Sequence, residues 1–215
     1  MTRDVYRGWR AGLLGTALAA LVALGLGGCA TPGERAVGAA ERERAEAALA
    51  ARQAQLAEWA VWGVRGRLAI RSAHEGWHAN VQWQQDADHY LIDLVGPMGQ
   101  GAVRLSGDPY RVVLDSGSEQ RVAASPEALL EENTGWRLPV NGLRYWMRGL
   151  PQPGALGRFE LDAQGRLLEL EQDGWHIAFQ RYTDVRGVAV PDRLALRHAD
   201  LRVRVVVDTW TLGES

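Results

Sequence analysis

The sequence predicts a mainly β fold, a curled antiparallel sheet of about ten to eleven strands around an apolar interior, covered by short helices. Three observations predict it. Between Trp62 and Thr211 apolar residues recur at every second position in short runs, the spacing of strands with one buried face. Turn-forming clusters separate the runs, among them Asp86-Ala87-Asp88, Ser106-Gly107-Asp108 and Ser116-Gly117-Ser118. So many strands cannot share one sheet without strong curvature. With 215 residues, 47% of them hydrophobic and 23% charged, the chain is long enough for one substantial core.

The N-terminus reads as an address. Arg3, Arg7 and Arg10 precede the apolar run Ala11–Leu26, then Gly27-Gly28-Cys29. These flanks and this length predict a signal peptide over residues 1–28, wrongly bordered and too short for an ordinary membrane-spanning helix. Cys29, the single cysteine, stands where a bacterial lipobox places the thiol that receives a diacylglyceryl group. Each buried lipid methylene contributes about 0.8 kcal/mol, and a second chain converts marginal binding into stable anchoring. Ala30, not Asp, follows; an Asp there is the usual inner-membrane retention signal, so the outer membrane, periplasmic face, is expected. This covalent lipid on Cys29 is the only non-protein group expected.

Residues 29–40 are small and Gly-rich and read as a lipidated tether. Residues 41–215 read as a single domain. It opens with a helix from Glu41 to Trp59, exposed on most of its circumference and docked by its C-terminal turns. Val64, Gly66, Leu68 and Ile70 then alternate with polar or small residues, as do Trp77, Ala79, Val81 and Trp83. Tyr90, Ile92 and Leu94 lead into the loop Gly96-Pro97-Met98-Gly99, whose tip carries an apolar residue where turns normally place a polar one. Strands follow over Ala102–Leu105, Tyr110–Leu114 and Gln120–Ala123.

Ser125-Pro126-Glu127 is a helix start, with a Ser cap, Pro at the first turn and an acid beside it, and Thr134-Gly135 is its stop. A second short helix presents Leu143, Trp146 and Met147 on one face and ends at Gly149. Strands resume at Arg158–Leu161, Arg166–Glu171, Trp175–Tyr182, Asp192–Arg197 and Leu201–Thr211. The inward phases and the helical cover nominate the interior lining: Trp83, Tyr90, Ile92, Leu94, Trp136, Leu143, Trp146, Met147, Trp175 and Phe179.

Catalytic and metal signals are weak. His74-Glu75-Gly76-Trp77-His78 matches H-E-x-x-H, but zinc chemistry needs both rings on one helix face, and here the flanks alternate with period two around Gly76. A hairpin connection without metal is expected. There is no Gly-x-Ser-x-Gly elbow, and Gly96-Pro97-Met98-Gly99 lacks the lysine and helix start of a phosphate loop. All 24 basic residues are arginines scattered along the chain, and the formal charge of −2 gives no bulk attraction to nucleic acid.

Taken together, the lipobox, V-x-G-R-L-A-I at Val64–Ile70, W-x-A-x-V-x-W-Q at Trp77–Gln84, Y-x-I-D-L-V-G-P-M-G-Q-G from Tyr90, T-G-W-R-L-P-V at Thr134–Val140 and L-R-Y-W-M-R-G-L-P at Leu143–Pro151 resemble the LolB family of outer-membrane lipoprotein receptors. The resemblance spans about Val61 to Leu212. It implies a half-barrel of about eleven antiparallel strands, with helices over a hydrophobic cavity for the acyl chains of cargo. It also implies a LolA-like periplasmic carrier as donor, acylated lipoprotein as cargo, outer-membrane lipid as acceptor, a monomer, and no enzymatic reaction. Members carry an apolar loop residue, commonly Leu, that helps put cargo into the membrane; Met98 matches that position. The competing reading is a lipid-anchored envelope assembly protein whose curved sheet binds protein segments.

Overall fold

The computed structural model describes residues 32–99, 101–154 and 157–213, with side chains from Gly38 onward except that of Met98. The signal segment 1–28 and Cys29 lie outside the described residues. Residues Glu41–Ser215 form one compact unit.

The elements run α1 (Pro32–Ala57), β1 (Val61–Arg71), β2 (Gly76–Asp86), β3 (His89–Val95), a 3-10 turn (Pro97–Gly99), β4 (Val103–Gly107), β5 (Val112–Asp115) and β6 (Gln120–Ala123). Then come α2 (Pro126–Thr134), α3 (Val140–Trp146), β7 (Gly157–Leu161), β8 (Leu167–Gln172), β9 (Trp175–Val185), β10 (Val188–His198) and β11 (Leu201–Leu212). The eleven strands form one sheet in the order β6-β5-β4-β3-β2-β1-β11-β10-β9-β8-β7. Every pairing is antiparallel, and the sheet does not close.

That order explains the helical cover. The first arm of the meander ends at one edge, β6, and the second begins at the other edge, β7. The connection must therefore cross the sheet, and it does so as α2 and α3, which bury Leu129, Leu130, Val140, Leu143 and Trp146. Ser125 Oγ accepts from Ala128 N at 3.3 Å, and Gly135 closes α2 in the left-handed region at φ 76°.

Two differences from the sequence reading have physical causes. The stretch expected to be a loose tether is helical from Pro32, because the Ala, Glu and Arg around Gly33 and Gly38 outweigh two isolated glycines. Docking of α1 also extends beyond its last turns: Ala45, Leu49 and Leu56 are all buried. Strand β10 begins at Val188 rather than Asp192. Pro191 lacks the ladder donor, but the register slips between Pro191 and Arg193, so the strand accommodates it at a bulge.

The seam between β1 and β11 also bulges, at Arg65/Gly66. A methyl group at Gly66 would run into the Val206 carbonyl, so close backbone approach demands glycine there. Gly66→Ala is expected to cost about 1–3 kcal/mol, read as a lower urea midpoint with an unchanged slope.

The β7–β8 turn docks α1. Gly165, at φ 70°, lies against the Ala48–Leu49 backbone. Asp162 accepts from Gln164 N and Arg166 N, both at 2.9 Å, and from Arg166 Nε at 2.6 Å. Partial burial pushes its carboxyl up, but these bonds outweigh that and hold it below the ordinary range. A depressed carboxylate stabilises the fold above the unfolded value of about 3.9 and loses that contribution as pH falls through the folded value. Asp162→Asn should flatten the acid limb of the stability–pH curve below that point.

Candidate functional site

The concave face of the sheet is a single apolar surface. Val64, Leu68 and Ile70 from β1, Val81 and Trp83 from β2, Ile92 and Leu94 from β3, Val203, Val205 and Val207 from β11 and Trp175, Ile177 and Phe179 from β9 belong to one buried cluster. Leu129, Leu130, Leu138, Val140, Leu143, Trp146 and Met147 close it from the helical side. All ten lining residues nominated from sequence meet here, eight of them buried and Tyr90 and Trp136 half-buried against the rest.

In this conformation α3 packs its largest side chain against that surface. Trp146 is 0% exposed. Its indole Nε1 donates to Gln172 Oε1 at 2.9 Å, and its ring lies 6.5 Å from that of Trp175. These two rings form one wall of a cleft of about 260 Å³, continued by Pro139, Gly142, Gln152 and His198. The Trp175 and His198 rings stack at 5.1 Å, and His198 Nδ1 contacts the Gly174 carbonyl at 2.9 Å.

The attachments of the cover are unequal. Helix α3 is tied on several sides: Arg144 Nη2 donates to Asp88 Oδ1 at 2.9 Å, Arg148 Nη1 to the Leu56 carbonyl at 3.2 Å, and Trp146 to Gln172. Helix α2 is held to α3 by Asn141 N donating to Glu127 Oε1 at 3.0 Å. Toward the sheet, among the described residues, α2 forms no hydrogen bond or ion pair: it packs apolar side chains, extended by Trp136 against Trp77 at 5.9 Å, and Glu132 acts on Arg121 of β6 through its charge alone.

A second aromatic array went unread in the sequence. Trp59, Trp210, Trp62, Trp83 and Tyr90 follow one another at centroid distances of 6.4, 5.7, 5.7 and 6.5 Å. Arg148, buried among them, lies over Trp62 at 5.7 Å and Tyr145 at 5.6 Å. Burial lowers its pKa from the ordinary arginine value. The in-phase spacing of Trp62 with Val64 was the available signal. Burial also pushes the Tyr90 phenol up to about 12, and its hydroxyl has no hydrogen-bond partner among the described residues. Tyr90 therefore stays neutral in the apolar interior.

The Gly96–Gly99 segment links β3 to β4 at the end of the sheet where β2 begins, and Pro97–Gly99 forms a 3-10 turn with Gly99 at φ 79°. The side chain of Met98 lies outside the described ones. His74 and Glu75 sit in the β1–β2 turn and His78 on the exposed side of β2, so no helix presents the H-E-x-x-H residues.

A protein-family profile described as "Outer membrane lipoprotein LolB" matches residues 60–210. The chain belongs to the LolB family. Outer-membrane lipoprotein LolB of Pseudomonas putida (strain W619) is 45% identical over 148 residues, covering 68% of this chain and 72% of the relative. The LolB of Nitrosococcus oceani is 45% identical over 150 residues, covering 69% and 75%. Among solved structures, a LolA superfamily protein from Nitrosomonas europaea superposes with a TM-score of 0.50 at 8% identity, over 73% of this chain and 88% of that one. At that identity the likeness concerns the fold alone. Membership of the LolB family makes this chain an outer-membrane lipoprotein with a role in lipoprotein localisation.

Proposed function

We propose that this chain accepts acylated lipoproteins from a LolA-like periplasmic carrier, accommodates their acyl chains between the sheet and the α2–α3 cover, and releases them into the outer membrane, to whose periplasmic face a lipid on Cys29 holds it. The observation that carries this reading is the meeting of ten apolar and aromatic side chains beneath a cover whose first helix, among the described residues, makes no hydrogen bond or ion pair to the sheet and adheres mainly by apolar contact. Such contact is non-directional and exchangeable: a fatty chain that replaces α2 against the same surface keeps it out of water. Cargo therefore enters by lifting α2 and the Trp136 segment, while α3 stays bolted to Asp88, Leu56 and Gln172.

Direction comes from differential affinity, since a ligand biases a step only by what it prefers. The interior must hold chains more tightly than the donor and less tightly than the bilayer. At about 0.8 kcal/mol per buried methylene, a difference of a few methylenes of contact suffices. Met98, on the loop Gly96-Pro97-Met98-Gly99, supplies the apolar contact with the membrane at release.

A photoreactive residue in place of Leu143 tests the reading. It should crosslink to an acylated lipopeptide and not to the same peptide without its acyl chains. Equal crosslinking of both would favour an assembly protein that binds protein segments. Depletion in cells should leave lipoproteins accumulating in the periplasm. Opening of α2 has its own readout: quenching between Trp77 and Trp136 should be relieved when lipopeptide is added, as a rise in fluorescence that Trp136→Phe abolishes.

A further inference from the structure

The arginines that look scattered in the sequence line up in the sheet. On the convex face Arg71 of β1 pairs directly with Arg202 of β11, and Arg202 with Arg197 of β10. His176 of β9 continues the row beside Arg197. Arg204 lies in the next row between Ala69 and Ala195, and Arg193 beyond it on β10. All five arginines are exposed, and among the described residues none forms an ion pair.

Like charges directly across a ladder oppose pairing, so the row works against the sheet that displays it. No neighbouring acid forms an ion pair with the row among the described residues. Glu171 holds Arg158 at 2.6 Å, Glu169 holds His176 at 2.6 Å and Asp208 holds Arg67 at 2.8 Å, while Asp200 and Glu75 occupy the adjoining turns. The row also lies at a particular end of the sheet. Val95 pairs with Asn80 and Asn80 with Arg67, and the chain then runs on through the Pro97–Gly99 turn, beyond that level, toward the end at which Arg71 stands.

We infer that Arg71, Arg202 and Arg197, supported by Arg204 and Arg193, form a docking surface for the anionic phosphates of the bilayer that bears the protein. An outer-membrane lipoprotein is tethered at high effective concentration to one extended anionic surface, and guanidinium forks match phosphate oxygens in pairs. This rests on the proposed membrane role of the Pro97–Gly99 turn: the same end of the sheet then meets the lipid, apolar turn entering and arginine row gripping headgroups.

The acylated full chain, whose Cys29 is consumed by its lipid, is reconstituted in phosphatidylcholine vesicles with and without phosphatidylglycerol. A solvatochromic dye on His74→Cys, in the exposed turn just beyond Arg71, reports contact. The dye should shift to the blue with anionic vesicles only, and the shift should vanish in high salt, where the screening length falls to about 3 Å at 1 M. Arg71→Gln/Arg197→Gln/Arg202→Gln should lose the shift, and the corresponding Lys triple should keep most of it. A shift that is salt-insensitive, or undiminished in the Gln triple, overturns the inference, as does one that appears only when the periplasmic carrier is added. Wild-type salt dependence and the Lys triple decide the matter even if the Gln triple does not fold. The acylated-peptide crosslink at Leu143 is read in parallel: lost dye contact with the crosslink intact removes this surface alone, whereas a lost wild-type crosslink removes the transport reading.

Discussion

Replacing Trp146 by alanine should lower the unfolding free energy by about 3–5 kcal/mol. No side chain in the cover is better placed to do so. Its ring is 0% exposed, it meets Trp175, and its indole N–H is satisfied by Gln172. The substitution removes apolar contact and leaves a cavity between α3 and the sheet that nearby backbone, tied at Asp88 and Leu56, cannot collapse to fill. At about 2–4 °C per kcal/mol for a domain of this size, the melting temperature should fall by roughly ten degrees. Trp146→Phe separates the contributions. It keeps most of the volume and drops one hydrogen bond, and Gln172 Oε1 still accepts from Gln152 N at 2.9 Å, so about 1–2 kcal/mol is expected. Equal losses for the two variants would mean that the indole hydrogen bond, not packing, holds α3 down.

Met98→Glu should give the largest functional effect with the smallest structural one. The residue sits in a three-residue turn between β3 and β4, flanked by exposed Pro97 and Gly99, so folding and cargo acceptance should persist. A carboxylate entering hydrocarbon costs several kcal/mol, which at 1.4 kcal/mol per decade predicts at least a tenfold fall in delivery to liposomes. Met98→Leu should deliver like the wild type. Delivery by Met98→Glu at the wild-type rate, with crosslinking at Leu143 unchanged, would remove the loop from the release step.

Much of this was legible because a strand with one buried face writes its burial into the sequence. Trp77, Ala79, Val81 and Trp83 point inward on β2 as their alternation predicts, and Ser125-Pro126-Glu127 starts a helix because a capping hydroxyl and a proline leave little else. What stayed hidden lies beyond bulges. On β11 the odd-numbered Leu201, Val203, Val205 and Val207 face inside; the slip at Arg65/Gly66 lets Thr209 pair with Arg65 and Val207 with Gly66, so Trp210 and Leu212 turn inward instead. One extra residue inverts the alternation, and a period-two reading cannot see it. The aromatic array and the buried Arg148 therefore went unread, because they come together across elements far apart in the chain. The arginine row was invisible for the same reason: its members are neighbours in register, not in sequence.

The central seam has a consequence for how the molecule comes into being. The Arg67–Asp208 bridge joins residues 141 positions apart, so the middle of the sheet cannot close before the last strand is available. Such distant closure is slow, because the entropy of the long loop is lost before any contact compensates for it. Until β11 arrives, β1 and β10 are left without their shared neighbour, each with a row of unpaired backbone groups that only the C-terminal strand can cover.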